Sequence, residues 1–104
     1  MPNPDIAGQV EAVVSTAIAS AAAHVSSSGE FPRGNVDTMV RSGMLGIGQS
    51  TEVGGMGGSV ADCALTVERI ARVCPTTAVV LASHLCCGLA VEACGDEDQR
   101  SNVA

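Results

Sequence analysis

The sequence predicts an all-α fold, a portion of an up-and-down bundle with about four helices and the start of a fifth. Apolar residues recur at spacings of three and four along several segments, which is the pattern of amphipathic helices. Residues that favour helix starts and ends separate these segments. Alternating apolar and polar residues never continue long enough to indicate a strand. The chain has 104 residues, so it holds at most one domain.

The first predicted helix spans about Pro4 to His24. Asn3 is placed to cap it, and Pro4 suits its first position. The apolar stripe repeats every three or four residues and consists of Ile6, Val10, Val13, Ala17 and Ala21, widened by Val14 and Ile18. Three serines at 26–28, followed by Gly29, predict a flexible break after this helix.

A short second helix is predicted after Pro32, and a glycine-rich loop follows it. The helix places Val36, Met39 and Val40 on one face, and Gly43 suits its left-handed end. Three apolar residues then anchor the exit, namely Met44, Leu45 and Ile47. The segment 46–58 contains six glycines but no GK[ST] motif and no preceding strand, so it predicts a tight turn and not a phosphate-binding loop.

Two longer helices are predicted after the loop. The third runs from about Val60 to Cys74, with Ser59 as its N-cap and Asp62 completing a weak capping box. Its expected apolar face consists of Val60, Ala64, Val67 and Ala71, with Cys63, Ile70 and Cys74 beside them. Pro75 separates it from a fourth helix of about Thr76 to Cys94. Gly95 caps that helix, and residues 96–99 begin a fifth.

Composition excludes several classes of function. The formal net charge is −6, with five arginines and no lysine, so no basic stripe exists for nucleic acid or for anionic lipid. The fourth helix is apolar, but Ser83, His84 and Glu92 offset its favourable insertion energy, which favours burial in protein over a membrane. No secretory signal is visible, and we expect a cytoplasmic protein.

Reactive side chains form no convincing catalytic or metal site in the sequence. The five cysteines are odd in number and lack a CxxC spacing, so we expect reduced thiols that behave as small buried hydrophobic residues. We expect His84 to be a hydrogen-bonded core histidine, and Glu68 to pair with Arg72 four residues later. Phe31 is the one aromatic residue, which predicts a thin core of small side chains.

The order of several motifs resembles the N-terminal helical domain of the acyl-CoA dehydrogenase family. The motifs, in chain order, are Phe31-Pro32, the "GLLGL"-like exit Gly43–Ile47, the "EEYGGLGG"-like loop Thr51–Gly58, the "LEELAR"-like Val67–Arg72, the "CPSTALVLAMH"-like Cys74–His84 and the "GDEAQ"-like Gly95–Gln99. Val53 replaces the usual tyrosine, and Ser50 stands where proline is common. Both changes would loosen the loop.

The resemblance implies a part of an oxidoreductase of fatty acid metabolism. Such flavoproteins use FAD to oxidise acyl-CoA thioesters and are commonly homo-oligomers. Their flavin and catalytic carboxylate are held by a middle β-domain and a C-terminal helical domain, which nothing in residues 1–104 matches. We therefore expect a partial domain that is inactive alone, with no catalytic, cofactor-binding or metal-binding residue of its own. By position, the residues expected to line the acyl-chain pocket are Ala78, Val79, Ala82 and Ser83.

Two alternatives remain open from the sequence. Flavin-dependent monooxygenases and nitroalkane oxidases resemble the same domain, and the residues that separate them lie downstream in those families. A stand-alone helical interaction module, or a remnant of one, would bind no flavin at all.

Overall fold

The computed structural model describes residues 3–103, and these form helices and turns without a strand. The elements in chain order are α1 (Pro4–Val13), a π-helical segment (Val14–Ile18), α2 (Ala19–Ser28), α3 (Arg33–Ser42), α4 (Val60–Ala71), α5 (Pro75–Cys94) and α6 (Glu97–Val103). Short 3-10 turns at Met44–Gly46 and Thr51–Val53 lie between α3 and α4. Because α1 and α2 continue into each other through the π-helical segment, the predicted arrangement of four helices and a fifth is confirmed.

The π-helical segment keeps the N-terminal apolar stripe on one side. Asn3 caps α1 as predicted, because its side chain accepts a hydrogen bond from the Asp5 amide at 2.9 Å. The buried residues repeat every fourth position, at Ile6, Val10, Val14 and Ile18. In a regular α-helix that spacing would drift around the axis, and the wider π-helical turn corrects the drift. Hydroxyl groups support the wider turn, since Thr16 Oγ1 donates to the Ala12 carbonyl at 2.7 Å.

The predicted break after the first helix lies at Gly29 and does not include the three serines. Residues 26–28 stay helical, and Ser27 Oγ donates to the His24 carbonyl at 3.3 Å. The helix ends instead at Gly29, which adopts the left-handed conformation with φ of 69°. Serine tolerates a final helical turn, whereas a left-handed residue at this position ends the helix.

The loop between α3 and α4 folds back on itself, and its glycines permit this. Backbone amides of Met56, Gly57 and Gly58 donate to carbonyls of residues 46, 49 and 47 at 2.7–2.8 Å. A Cβ at Gly58 would lie 2.7 Å from the Ile47 carbonyl oxygen and 2.9 Å from Ile6 Cδ1. This confirms the prediction of a tight turn that packs closely under another element.

The face of α4 that packs into the core differs from the predicted one. Ser59 and Asp62 form the predicted capping box, but the buried residues are Asp62, Cys63, Thr66 and Ile70. Val60 is 66% exposed, and Ala64 is also exposed. The helix ends at Ala71 and a turn follows, because Cys74 adopts the extended backbone that the residue before Pro75 favours.

The core is built from aliphatic and methionine side chains. The largest fully buried apolar side chains are Ile18, Met39, Met44, Ile47, Ile70 and Leu81. Phe31 is 57% exposed, and the Arg33 guanidinium lies 5.7 Å from its ring centroid. The sole aromatic residue therefore contributes little to the core.

Candidate substrate-binding face

The candidate site lies on α5, which buries one side in the bundle and exposes the other. Cys74 has an extended backbone, and Pro75 occupies the first turn, so the helix starts at the predicted proline. Its buried side consists of Thr77, Ala78, Leu81, Leu85 and Gly88. Its outer side, meaning the exposed residues of the same helix, includes Val79, Ser83, Cys86, Cys87 and Ala90. An outer side this rich in apolar atoms is a surface that another apolar group can cover.

The structure separates the four residues expected to line an acyl-chain pocket. Val79 and Ser83 lie together on the outer side, where Val79 is 66% exposed and Ser83 Oγ donates to the Val79 carbonyl at 3.0 Å. Ala82 is half-buried on the side of α5 that faces α4. Ala78 is 3% exposed and packs into the bundle core. Within the described chain, only the first three are placed to meet a group outside the bundle.

Ala82 also lines an apolar groove between α4 and α5. This α4/α5 groove has a volume of about 340 Å³ and is lined by Val60, Cys63, Ala64, Val67, Ala82, Leu85, Cys86 and Leu89. Burial raises the pKa of the Cys63 thiol, and the neighbouring Asp62 carboxylate adds to the effect. The stripe that the sequence placed on the core face of α4 thus forms one wall of this groove.

A buried glutamine that the sequence reasoning missed attaches the glycine-rich loop to α5. Gln49 is 1% exposed, and its Nε2 donates to the Gly88 carbonyl at 2.6 Å. Its buried Oε1 has no hydrogen-bond partner within residues 3–103. The neighbouring Gly48 leaves room for the helix, since a Cβ there would lie 2.8 Å from Leu89 Cδ2. The sequence held no clear signal for its burial, because Gln49 is followed by the polar residues Ser50, Thr51 and Glu52.

The glycine-rich loop offers no cradle for the diphosphate of a dinucleotide. The amides of the glycine-rich loop are engaged, since Gly54, Gly55 and Gly57 each donate to a carbonyl of the same loop. Two arginines are paired with carboxylates, Arg69 with Glu11 and Arg72 with Glu68, both at 2.6 Å. Phosphate binding needs free backbone donors or free cations. The glycine-rich loop and these two paired arginines therefore do not form a diphosphate site.

The polar side chains expected to have structural roles mostly have them. Asp62 accepts hydrogen bonds from the Ser59 amide at 2.8 Å and the Asn3 amide at 2.7 Å, and these bonds lower its pKa. The predicted pairing of Glu68 with Arg72 is confirmed. His84 differs from the prediction, because its buried Nε2 has no hydrogen-bond partner among the described residues.

The thiols also differ from the prediction. Cys63 and Cys74 are buried, but Cys86, Cys87 and Cys94 are exposed, and all five are free. The three exposed thiols lie on the outer side of α5 because the helix is apolar around its whole circumference and only one side packs into the bundle. Among residues 3–103, no group of three or more histidine, cysteine or acidic residues could hold a metal ion.

Two helical stretches, Pro4–Ser28 and Pro75–Cys94, are long and apolar enough to cross a membrane by length and composition. Core helices of soluble proteins satisfy the same criteria, so this is weak evidence. Here both stretches place large aliphatic residues, such as Ile18 and Leu81, in the core of the bundle.

Nearly the whole chain is similar to a known protein family. Residues 4–103 match the family described as acyl-CoA dehydrogenase, N-terminal domain. The chain is 42% identical over 81 residues to the short-chain-specific acyl-CoA dehydrogenase of Clostridium acetobutylicum, which covers 76% of this chain and 21% of that protein. It is 37% identical over 71 residues to the probable acyl-CoA dehydrogenase YngJ of Bacillus subtilis, covering 68% of this chain and 19% of that protein.

The matched region thus spans about a fifth of the length of these curated relatives. No solved structure matches the chain significantly.

Proposed function

Because this chain belongs to the acyl-CoA dehydrogenase family and corresponds to the N-terminal domain of such enzymes, we propose that it forms one wall of the acyl-chain site. The enzyme would catalyse the α,β-dehydrogenation of acyl-CoA thioesters. This chain acts as one domain of a flavoenzyme and is not catalytic by itself. The middle β-domain and the C-terminal helical domain belong to the same enzyme. The cell compartment is the cytoplasm, and the assembled enzyme is a homo-oligomer of fatty acid metabolism.

The outer side of α5 is the observation that carries the proposal. Val79 is held out of the bundle at 66% exposure, with Ser83 beside it and Ala82 at the edge of the α4/α5 groove. An acyl chain gains about 0.8 kcal/mol for each methylene group that it buries against such a surface. None of the three side chains is ionisable, so they can contact an apolar tail without desolvating a charge. Ala78 remains a candidate contact only if α5 repacks, because it is in the core.

FAD is the cofactor of the proposed enzyme, and its main binding site lies outside residues 3–103. The loop amides are engaged and two arginines are paired, as described above, which supports a diphosphate site elsewhere in the enzyme. A bound flavin would supply the acceptor for the electrons removed from the acyl chain. The contribution of this chain is to position the substrate and exclude water from its tail.

The test uses the natural protein that carries this sequence. We expect the purified protein to show flavin absorbance and to reduce an artificial electron acceptor when an acyl-CoA is added. The Clostridium relative is named for short-chain substrates, so butyryl-CoA is the first substrate and longer acyl-CoAs follow. Absence of both flavin and acyl-CoA-dependent reduction would overturn the proposal, and a flavoprotein that oxidises nitroalkanes or inserts oxygen would replace it.

The substitution Val79→Phe tests whether α5 forms a wall of the acyl-chain site. The larger side chain should lower kcat/KM for long acyl chains relative to butyryl-CoA by about tenfold or more, the scale expected when a pocket loses room for a methylene group or two. Ala23→Phe, on the exposed side of α2, is the matched control and should leave the chain-length profile unchanged. An unchanged profile in Val79→Phe would remove α5 from the acyl-chain site while leaving the dehydrogenase activity intact.

A further inference from the structure

Two of the five free thiols lie on facing walls of the same groove. Cys63 is on α4 and 4% exposed, and Cys86 is on α5 and exposed, yet both line the α4/α5 groove. Cys74 differs because it lies at the start of α5, where its Sγ is 3.1 Å from Thr77 Oγ1. Cys87 and Cys94 are exposed but do not line this groove.

Two further observations place Cys63 and Cys86 near each other. The thiol of Cys63 and the side chain of Leu89 both lie next to Gly48. A Cβ added to Gly48 would be 3.1 Å from Cys63 Sγ and 2.8 Å from Leu89 Cδ2. Leu89 is one helical turn from Cys86 on the same side of α5. The raised pKa of Cys63 is consistent with this placement, since burial is its main cause and the neighbouring Cys86 adds to it.

We propose that Cys63 and Cys86 form a reversible dithiol–disulfide pair that links α4 to α5. This proposal is independent of the proposed enzymatic function. An exposed thiol beside a second thiol that can resolve it is the usual arrangement of a redox-sensitive pair. The apolar walls of the groove allow the two sulfurs to meet without displacing a hydrogen-bonded group.

The chemistry balances with glutathione disulfide as the oxidant. The thiolate of exposed Cys86 attacks one sulfur of glutathione disulfide, which forms a mixed disulfide and releases one glutathione thiolate. The thiolate of Cys63 then attacks Cys86 Sγ, which forms the protein disulfide and releases the second glutathione. The two protons lost by the protein thiols end on the two glutathiones, and the two electrons lost by the protein reduce the oxidant. Burial of Cys63 makes the second step the slower one.

Closing the pair changes the groove. A disulfide between α4 and α5 would occupy the space next to Leu85 and Leu89 and would hold the two helices together. Oxidation would therefore prevent an apolar group from entering the α4/α5 groove.

The test incubates the folded full-length chain with glutathione disulfide, blocks the remaining thiols by alkylation and maps the peptides without reduction. Cleavage after arginine is informative here. The peptide 42–69 contains Cys63 as its single cysteine, whereas the peptide 73–100 contains the other four. We expect these two peptides to be linked to each other within one chain, and the link to be lost on treatment with reduced thiol.

Cys86→Ser is the decisive variant because the side chain is exposed and its replacement should not affect folding. It should abolish the link, whereas Cys87→Ser and Cys94→Ser should retain it. Cys63→Ser should leave glutathione attached to Cys86. Persistence of the link in Cys86→Ser would overturn the proposal. So would a wild-type protein that yields only a glutathione adduct, or disulfides only between two copies of the chain.

Discussion

The two sides of α4 are held to the rest of the bundle by different interactions. Toward α1 the contact is polar at both ends, with Asp62 accepting from the Asn3 amide and Arg69 paired with Glu11 through two bonds of 2.6 and 2.7 Å. Toward α5 the contact is apolar and leaves the α4/α5 groove. Directional bonds fix the register of two helices at particular residues, whereas apolar contact depends on area and shape. The α1 side is therefore fixed at particular residues by directional bonds, although the surface between its two polar ends is also apolar and lined by Ile6, Val10 and Leu65. The α5 side depends mainly on apolar packing.

The largest effect should come from the apolar side. Leu81 is fully buried, and Leu81→Ala should lower the free energy of unfolding by about 2–5 kcal/mol, since it removes buried methyl groups and leaves a cavity. Val79→Ala, two residues earlier on the outer side, should change the free energy of unfolding by no more than about 0.5 kcal/mol. Urea unfolding followed by circular dichroism measures both. Equal losses would mean that α5 does not bury the side described here.

The second-largest change in stability should come from the glycine-rich loop, which contacts α1 at Gly58. A methyl group at Gly58 would meet the Ile47 carbonyl and Ile6 Cδ1, so Gly58→Ala should destabilise the protein by about 1–3 kcal/mol. Gly8 has open space around its Cα and lies inside α1, so Gly8→Ala should stabilise it by about 0.5–1 kcal/mol. The two glycine variants should thus shift the melting temperature in opposite directions. A shift of the same sign in both would contradict the close packing of the loop.

The polar side should make stability depend on pH. Backbone amides of Ser59 and Asn3 lower the pKa of Asp62 in the folded protein, so its charged form stabilises the fold. That contribution is complete above the ordinary aspartate pKa of about 4 and is lost as the pH falls through the lower folded value. The Asp62→Asn variant should therefore have a lower free energy of unfolding than wild type near neutral pH. The difference between the two proteins should shrink in acid. Asp37→Asn, on the exposed surface of α3, provides the control. A pH-independent deficit in Asp62→Asn would argue against this linkage.

The smallest effect should come from the ion pair between Arg69 and Glu11. Both side chains are partly exposed, so the pair is screened by solvent and by salt. Glu11→Gln should lower stability slightly at low salt, and the difference from wild type should nearly vanish at about 1 M salt, where the Debye length is about 3 Å. Chemical unfolding at the two salt concentrations tests this. A difference that persists at high salt would show that the pair is less screened than its exposure implies.

Local signals in the sequence were sufficient for the helices and most of their starts, although two helix ends lie at Ser28 and Ala71, away from the predicted His24 and Cys74. Asn3 and Ser59 cap helix starts because their side chains accept hydrogen bonds from amides two and three residues later, and Gly43 ends α3 in a left-handed conformation. The order of motifs from Phe31 to Gln99 indicated the family, which the comparisons bear out. These features could be predicted because they depend on residues within one or two helical turns of one another.

Which side of each helix meets the core was decided by the tertiary structure. On α4 the sequence offered two adjacent apolar stripes, and the one containing Cys63 and Ile70 became buried because Asp62 is attached to Asn3 in the same direction. On α5 every side is apolar, so periodicity could not distinguish Ala78, which is in the core, from Val79, which is exposed. The sequence by itself determined the helices, their caps and the family. The packing alone determined which thiols and which candidate substrate residues are exposed, because that choice depends on contacts between residues far apart in the chain.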